Sequence, residues 1–414
     1  MLYQAYQTQA DLLIPVRAAA SVARNWFSDL AKFTTGTPIS VISKRLSASM
    51  EMVERAALSH QRPPFAITEV TVKGTPVPVS QTVVTATPFA TLLRFRRDST
   101  ATLPRVLVVA PLSGHFATLL RATVQTMLQD HDVYITDWHN ARDVPVHHGG
   151  FGIEDYTNHV ISFLETIGPG AHLLAVCQPC VSALAATAVM SEAQSACVPK
   201  SLTLMAGPID TRISPTAVNT LATGRTIDWF RNNVITTVPP RFPGAGRHVY
   251  PGFLQVSAFV AMNQRNHLDA HWRMFDDLVN DRVEEADARK AFYDEYFAVL
   301  DLAAEFYLDT VQDVFQQHLL PRGLMRHQGR PIDCTAIRHT ALLTVEGERD
   351  DICAVGQTSA AHNLTPSIPN ALRAHHLQTN VGHYGVFSGR RWNTEVYPAV
   401  RQTIQVSEAR SLAT

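Results

Sequence analysis

The sequence predicts an α/β protein in which helices cover both faces of a mostly parallel central sheet. Continuous apolar runs are typical of strands buried on both faces. They include "PRVLVVAP" from residue 104, "HLLAVC" at 172–177, "SLTLMAG" at 201–207 and "TALLTVEGERDD" at 340–351. Segments with helical character separate these runs, and such strand–helix alternation produces a parallel sheet.

The pattern along the chain predicts four parts. Residues 1–65 form an N-terminal helical segment, since their apolar residues recur at helical spacing. Residues 66–209 form the first part of the core, which begins with alternating, antiparallel strands. Residues 210–335, which hold 15 of the 33 aromatics, interrupt the strand rhythm and form an inserted, mainly helical cap. Residues 336–414 complete the core. Alternatively, the inserted aromatics are the core of an ordinary second helical domain.

Composition excludes several partners. The formal net charge of the 414 residues is −1, so no strong field favours nucleic acid or an anionic membrane. No run approaches the roughly 18 apolar residues of a membrane-spanning helix, and the N-terminus lacks the pattern of a secretory signal. Five cysteines are too few for a disulfide framework and fit a reducing cytoplasm. We therefore expect a cytoplasmic protein whose partner is neutral or apolar.

The stretch "HLLAVCQPCVSALAA" at 172–186 predicts a buried strand that turns sharply into a helix, with Cys177 at the turn. Such a turn lifts one side chain out of the sheet and exposes a nucleophile. Where the usual pattern is G-x-S-x-G, this chain has Ala175, Cys177 and Pro179. A helix N-terminus also stabilises a thiolate. The alternative is a buried thiol without a catalytic role.

Later residues supply an acid and a base in the order nucleophile, acid, base that is typical of α/β-hydrolases. Asp350 and Asp351 follow a predicted core strand, and His383 lies in the glycine-flanked loop "VGHYGVFSG". An aspartate would orient the imidazole, which would take the thiol proton of Cys177. The pattern alone leaves the choice between the two aspartates open.

Two places could supply an oxyanion hole, the pair of N–H groups that bind the developing negative oxygen. Gln178 directly follows the nucleophile and would donate its backbone N–H. The turn "PLSG" after an earlier core strand would supply the second donor from Leu112 or Ser113, because Pro111 has no N–H. An ordinary turn explains "PLSG" equally well.

Cys177 and Cys180 also form a C-x-x-C motif at a strand-to-helix junction, which is typical of dithiol oxidoreductases. Against this hypothesis, the motif lies deep in the chain and leaves Asp350 and His383 without a role. Zinc binding is disfavoured, because no second cysteine or histidine pair follows at metal-site spacing.

Several long stretches resemble the intracellular poly(3-hydroxybutyrate) depolymerase family. They include "MLYQAYQTQADLL", "APLSGHFATLLRATVQTMLQDHDVYITDW", "AGPIDTRISPTAVNTLAT", "FYDEYFAVLDLAAEFYLDT", "TVEGERDDI" and "GHYGVFSGRRW". The resemblance extends from residue 1 to about residue 405. It implies an α/β-hydrolase that cleaves ester bonds of stored polymer granules or their oligomers, with no metal or organic cofactor.

Carried over to this chain, the resemblance implies Cys177 as nucleophile, Asp350 as acid and His383 as base. The pattern G-x-x-D-x-I favours Asp350, three residues after Gly347, over Asp351. Related polyester synthases also use Cys, Asp and His, so a synthase-like acyltransferase remains an alternative. The acyl acceptor, water or coenzyme A, stays open, as do chain-length preference and oligomeric state.

The aromatic enrichment of the predicted cap suggests contact with a water-insoluble polyester, since aromatic side chains offer large rigid apolar faces. The candidate substrate-binding residues are Trp229, Phe230, Tyr250, Phe253 and Trp272.

Overall fold

The computed structural model describes residues 2–262 and 264–411 and contains one large sheet flanked by helices. The strands are β1 (Glu69–Val72), β2 (Thr75–Ala86), β3 (Ala90–Arg97), β4 (Arg105–Val109), β5 (Asp132–Trp138), β6 (His172–Val176), β7 (Ser201–Met205), β8 (Thr236–Thr237), β9 (His248–Tyr250), β10 (Leu302–Ala303), β11 (Arg326–His327), β12 (Arg330–Pro331), β13 (Ala341–Gly347) and β14 (Arg373–Gln378).

The α-helices are α1 (Leu2–Phe33), α2 (Pro38–Arg55), α3 (Arg121–Met127), α4 (Ile153–Ile167), α5 (Cys180–Glu192), α6 (Ala217–Thr223), α7 (Ile227–Asn233), α8 (Gly252–Met262), α9 (Gln264–Val279), α10 (Val283–Tyr296), α11 (Ala304–Asp309), α12 (Ala361–Leu364), α13 (Gly389–Arg391) and α14 (Tyr397–Ser411). Two π-helical segments are Thr310–Gln316 and Trp392–Val396.

The large sheet has the order β1-β2-β3-β5-β4-β6-β7-β13-β14. Its first four strands pair antiparallel and the remaining neighbours pair parallel, which confirms both the α/β class and the antiparallel start. Every residue of β5, β6, β7 and β13 is buried, as continuous apolar runs predict. At the sheet edge, β14 is largely exposed, which explains its weaker apolar pattern.

Helices α1 and α2 form an antiparallel hairpin. Arg17 Nε donates to Glu54 O at one end, and Ser40 Oγ donates to Ala31 O at the other. The start of the hairpin is anchored to the body of the protein, because the buried Tyr3 hydroxyl donates to Asp301 Oδ2 at 2.5 Å.

Between β7 and β13 the chain forms helices α6 to α11, the small antiparallel sheet β10-β9-β8 and the hairpin β11-β12. The strands in this segment have only two or three residues each. The division into four parts with a cap at 210–335 stays a prediction. Between β13 and β14 the chain is mostly in turns, and the helix there, α12, has only four residues.

No helix within residues 2–262 and 264–411 is long and apolar enough to cross a membrane.

Candidate active site

The carboxyl ends of five parallel strands meet at one edge of the sheet. Register places Val109 of β4 beside Ala175 of β6, and Met205 of β7 between Val176 and Val345. At the far side, Gly347 of β13 pairs with the last residue of β14. The loops that follow these strands therefore bring the predicted site residues together at the carboxyl ends of the strands. We call this end of the sheet the catalytic edge.

Cys177 occupies the turn between β6 and α5 in a left-handed conformation, with φ of 68°. Its N–H donates to Met205 O at 2.8 Å, and its carbonyl accepts from Cys180 N at 3.1 Å. A non-glycine residue in this region is strained and persists only where its surroundings hold it. Buried β6 on one side and the start of α5 on the other provide that constraint, leaving the thiol half-buried.

Asp350 and His383 form a buried pair at the same edge. His383 Nδ1 donates to Asp350 Oδ2 at 2.8 Å. The other carboxylate oxygen, Oδ1, accepts from the N–H groups of Ile352 and Cys353 at 2.9 and 2.8 Å. These bonds fix the carboxylate, so the imidazole has one defined orientation. Asp351, by contrast, is exposed.

The protonation of His383 depends on its burial and on two neighbouring acidic side chains. Burial lowers its pKa, but the charges of Cys177 and Asp350, together with hydrogen bonds to both side chains, raise the pKa well above its usual value. The imidazole therefore lies between the thiol and the carboxylate, with Nδ1 committed to Asp350. This arrangement favours the protonated form of the imidazole beside the Cys177 sulfur.

The loop after β4 presents the N–H groups of Leu112 and Ser113. Among the described residues, neither group nor the N–H of Gln178 donates an intramolecular hydrogen bond. Ala110, two residues before Leu112, is fixed in place, because its carbonyl oxygen accepts from Trp138 Nε1 and from the Tyr156 hydroxyl, each at 2.8 Å. The backbone at this edge thus has donors available for a substrate oxygen.

The side chain of Gln178 has an unusual environment. It is buried, yet neither its amide oxygen nor its amide nitrogen has a hydrogen-bond partner within the described chain. A buried amide without partners is costly, and such groups in native structures call for a bound water or ligand.

Cys180 is fully buried, and its Sγ contacts the carbonyl oxygens of Ala175 and Met205 at 3.4 and 3.6 Å. Burial and the neighbouring charge of Cys177 raise its pKa well above the usual value for a thiol. A Cβ at Gly207 would lie 2.2 Å from that of Cys180. This tight packing favours a structural thiol over a redox partner.

Glu346 is a buried carboxylate whose structural role was not predicted from the sequence. Its Oε1 accepts from Thr358 N and Ser359 N at 2.8 and 2.9 Å, and its Oε2 accepts from Gly356 N at 3.0 Å. The Thr358 hydroxyl in turn bonds both backbone groups of Gly207. Glu346 thereby holds the loop after Asp350 against the end of β7. A charged residue inside the apolar run "ALLTVEG" was the available signal.

A cavity of about 410 Å³ opens beside His383 and was also not predicted from sequence. Its apolar walls are Phe259, Phe292, Tyr296, Ile352 and Tyr384. Its polar lining includes Asp351 and Arg349 from the loop after β13. Helices α8, α9 and α10 thus contribute one side of the cavity, and the catalytic edge contributes the other.

The predicted polymer contacts are partly wrong. Phe230, Tyr250 and Phe253 are buried, because their rings pack inside the protein and have no face available to a polymer. Phe230 packs in a cluster with Val311, Tyr250 stacks on Tyr307 and Phe253 stacks on Tyr6. Trp229 and Trp272 are exposed, at 37% and 69%, and remain candidates.

In the part of the chain that the structure describes, no cluster of His, Cys, Asp and Glu side chains could hold a metal ion.

Residues 206–408 match the family model described as "PHB de-polymerase C-terminus". Curated proteins give no significant match to this sequence.

Many solved structures are similar to this chain at low identity and low TM-score. A thermophilic esterase from Thermogutta terrifontis is 13% identical, with a TM-score of 0.41 over 82% of this chain and 98% of that chain. A meta-cleavage product hydrolase from Pseudomonas fluorescens IP01 is 13% identical, with a TM-score of 0.38 over 84% and 98%. DcsB is 14% identical, with a TM-score of 0.45 over 80% and 99%. Likeness at this level identifies no activity.

The strand order, the turn at Cys177 and the family match agree with one another. The protein has the α/β-hydrolase fold, and its residues 206–408 match the C-terminal domain of the PHB de-polymerase family.

Proposed function

We propose that the protein hydrolyses ester bonds of poly(3-hydroxybutyrate) through an acyl-enzyme on Cys177. The observation that carries this proposal is the strained turn that presents Cys177 beside an imidazole held by Asp350. The family match adds support, because its description names the depolymerisation of this polyester.

In the first step, the proton of the Cys177 thiol resides on His383 and the thiolate attacks the ester carbonyl carbon. The C–O bond to the leaving hydroxyacid breaks, and His383 gives its proton to the departing alkoxide. In the second step, His383 takes a proton from water, the hydroxide attacks the thioester and the C–S bond breaks. The products are a carboxylic acid and the regenerated thiol, while Asp350 stays ionised and orients the imidazole.

The tetrahedral intermediate of each step carries a negative oxygen. The N–H of Gln178 and that of Leu112 or Ser113 would donate to it, since all three donors are free of intramolecular partners in the described chain. The unpartnered amide nitrogen of Gln178 would donate to a further oxygen of the substrate. A polyester repeat supplies such oxygens without supplying a charge.

The cavity beside His383 fits an acyl chain of this kind. Most of its walls are apolar, and ligand sites combine such walls with a few polar groups. Beyond the cavity, the exposed Trp229 and Trp272 are proposed contacts for longer chains. We place the enzyme in the cytoplasm, at polymer granules or their released oligomers.

The test is incubation of the purified protein with amorphous polymer granules, with and without coenzyme A. We expect free 3-hydroxybutyrate or its oligomers in both reactions, and a 3-hydroxybutyryl adduct on the peptide containing Cys177 by mass spectrometry. A product that forms only as a coenzyme A thioester would indicate an acyltransferase.

Two variants sharpen this test. Cys177→Ala should lower turnover by on the order of 10³-fold or more, because the nucleophile is lost. Cys180→Ser, a matched change three residues away, should keep most activity because its thiol packs inside the protein. An inactive Cys180→Ser protein that is still folded, or a fully active Cys177→Ala protein, would contradict the proposal.

A further inference from the structure

The N-terminal hairpin exposes an unusually large apolar surface. Its prominent side chains, each at least half exposed, are Leu12, Val16, Trp26, Phe33, Val41 and Ile42, and we call them the hairpin surface. Phe33 alone is 90% exposed. Large exposed apolar surfaces on soluble proteins mark sites of interaction.

The two helices do not need these side chains to pack against each other. Most of their buried residues are small, namely Ala20, Ala31, Ser40, Ser43 and Ala48, and the others are Tyr3 and Glu51. Helices usually bury their large apolar residues and expose polar ones. On this hairpin, by contrast, many large apolar side chains are exposed.

The exposed side chains point in many directions. Leu12, Leu13, Ile14 and Val16 are all exposed within little more than one turn of α1. Successive helical residues are about 100° apart, so these side chains surround most of the helix. A single protein face would cover only one side of α1. A deformable apolar phase could cover all of them.

The distribution of charge on the hairpin indicates which kind of apolar material its surface would bind. The stretches 12–16 and 33–43 contain no charged residue. At their borders, Lys32 pairs with Asp29, and Lys44 pairs with Asp281. Beside these stretches, Arg17 donates to Glu54 O, and Arg45 is exposed. The two stretches themselves carry no charge and match a neutral material.

The hairpin is also joined to the wall of the active-site cavity. Arg55 of α2 donates to Asp294 of α10 at 2.8 Å, and Lys290 of α10 pairs with Glu51 at 2.9 Å. Helix α10 carries Phe292, which lines the cavity and is itself 42% exposed. These contacts fix the hairpin relative to the helix that lines the cavity.

We propose that the hairpin surface seats the enzyme on the surface of its water-insoluble, neutral polyester. This rests on the proposed function for the identity of the polymer. The interaction is burial of apolar area, which is proportional to the area removed from water and independent of ion pairs.

The test compares three folded proteins by sedimentation with amorphous polymer granules. Phe33→Glu/Val41→Glu should bind granules at least tenfold more weakly than the native protein, while hydrolysing p-nitrophenyl butyrate at the native rate. The matched control is Val406→Glu, a change at an exposed valine on α14, which should alter neither property. Circular dichroism checks that each variant is folded, and native binding should persist at high salt.

Native-strength granule binding by the double variant would overturn the proposal. So would a native dimer that the double change converts to monomers while granule binding persists, measured by light scattering, since the surface would then bind a second copy. Equal binding of neutral phospholipid vesicles and granules would also overturn it. Failure of the proposed function has a separate signature: the native protein would bind granules but release no hydroxyacid.

Discussion

The catalytic edge and the hairpin surface use side chains in opposite ways. At the catalytic edge, polar groups are buried and fixed: Asp350 accepts three hydrogen bonds, and so does Glu346. On the hairpin, large apolar groups such as Trp26 and Phe33 face outward. Chemistry requires atoms held within fractions of an ångström, whereas adsorption to an amorphous material requires only apolar area. The two regions should therefore respond differently to substitution.

The largest effect is expected at the aspartate pair. Asp350→Asn should lower turnover by on the order of 10³- to 10⁴-fold, because the imidazole loses its orienting carboxylate. Asp351→Asn should cost far less, since Asp350 is the carboxylate that accepts from His383 Nδ1. Steady-state kinetics on p-nitrophenyl butyrate measures both variants. Granule binding should be native in each, and the reverse ranking would place the acid at Asp351.

Substitutions of buried and of exposed aromatic residues outside the hairpin should affect different properties, stability in the first case and granule binding in the second. Phe230→Ala removes a buried ring and should lower the free energy of unfolding by about 3–5 kcal/mol. Trp272→Ser removes an exposed ring and should leave stability nearly unchanged while weakening granule binding several-fold. Urea denaturation and granule sedimentation distinguish the two effects. Unchanged granule binding in the Trp272 variant would leave the hairpin as the main contact.

The loop held by Glu346 offers a smaller effect. Glu346→Gln replaces one acceptor oxygen with a donor that faces backbone N–H groups, and should cost roughly 1–3 kcal/mol of unfolding free energy. Glu348→Gln is the matched control, because Glu348 is exposed and accepts from one N–H, that of Asn380. Thermal denaturation compares them. Equal losses would mean that burial of the loop anchor is unimportant.

The pH dependence of stability gives the smallest and most specific signal. The pKa of His383 is raised in the folded protein, so its protonated form stabilises the fold fully below about pH 6.5, its unfolded pKa. That stabilisation is lost as pH rises through the folded pKa. Cys177→Ala removes one source of the raised pKa, and the loss should then occur at lower pH. Urea denaturation of both proteins at a series of pH values measures the free energy of unfolding. Identical pH dependence in the two proteins would contradict an influence of Cys177 on the pKa of His383.

Much of the catalytic edge could be predicted from the sequence because its signals are local. A buried strand that runs directly into a helix specifies the turn at Cys177, whatever lies elsewhere in the chain. Continuous apolar runs likewise specified the parallel strands, since both faces of each strand are covered by helices. The chain order of Cys177, Asp350 and His383 followed from these same elements.

Burial and long-range contacts of side chains depend on the tertiary structure and could not be predicted from local sequence patterns. Aromatic residues have the same chemistry inside and outside, so only packing separates the buried Phe230, Tyr250 and Phe253 from the exposed Trp272. The hydrogen bond from His383 to Asp350 depends on two loops that meet across 33 positions of sequence. The hairpin shows the same limit. Its apolar spacing predicted helices, but only the packed structure shows that many of its large side chains are exposed. Helical spacing specifies that a face is apolar, and only the packed structure determines what that face contacts.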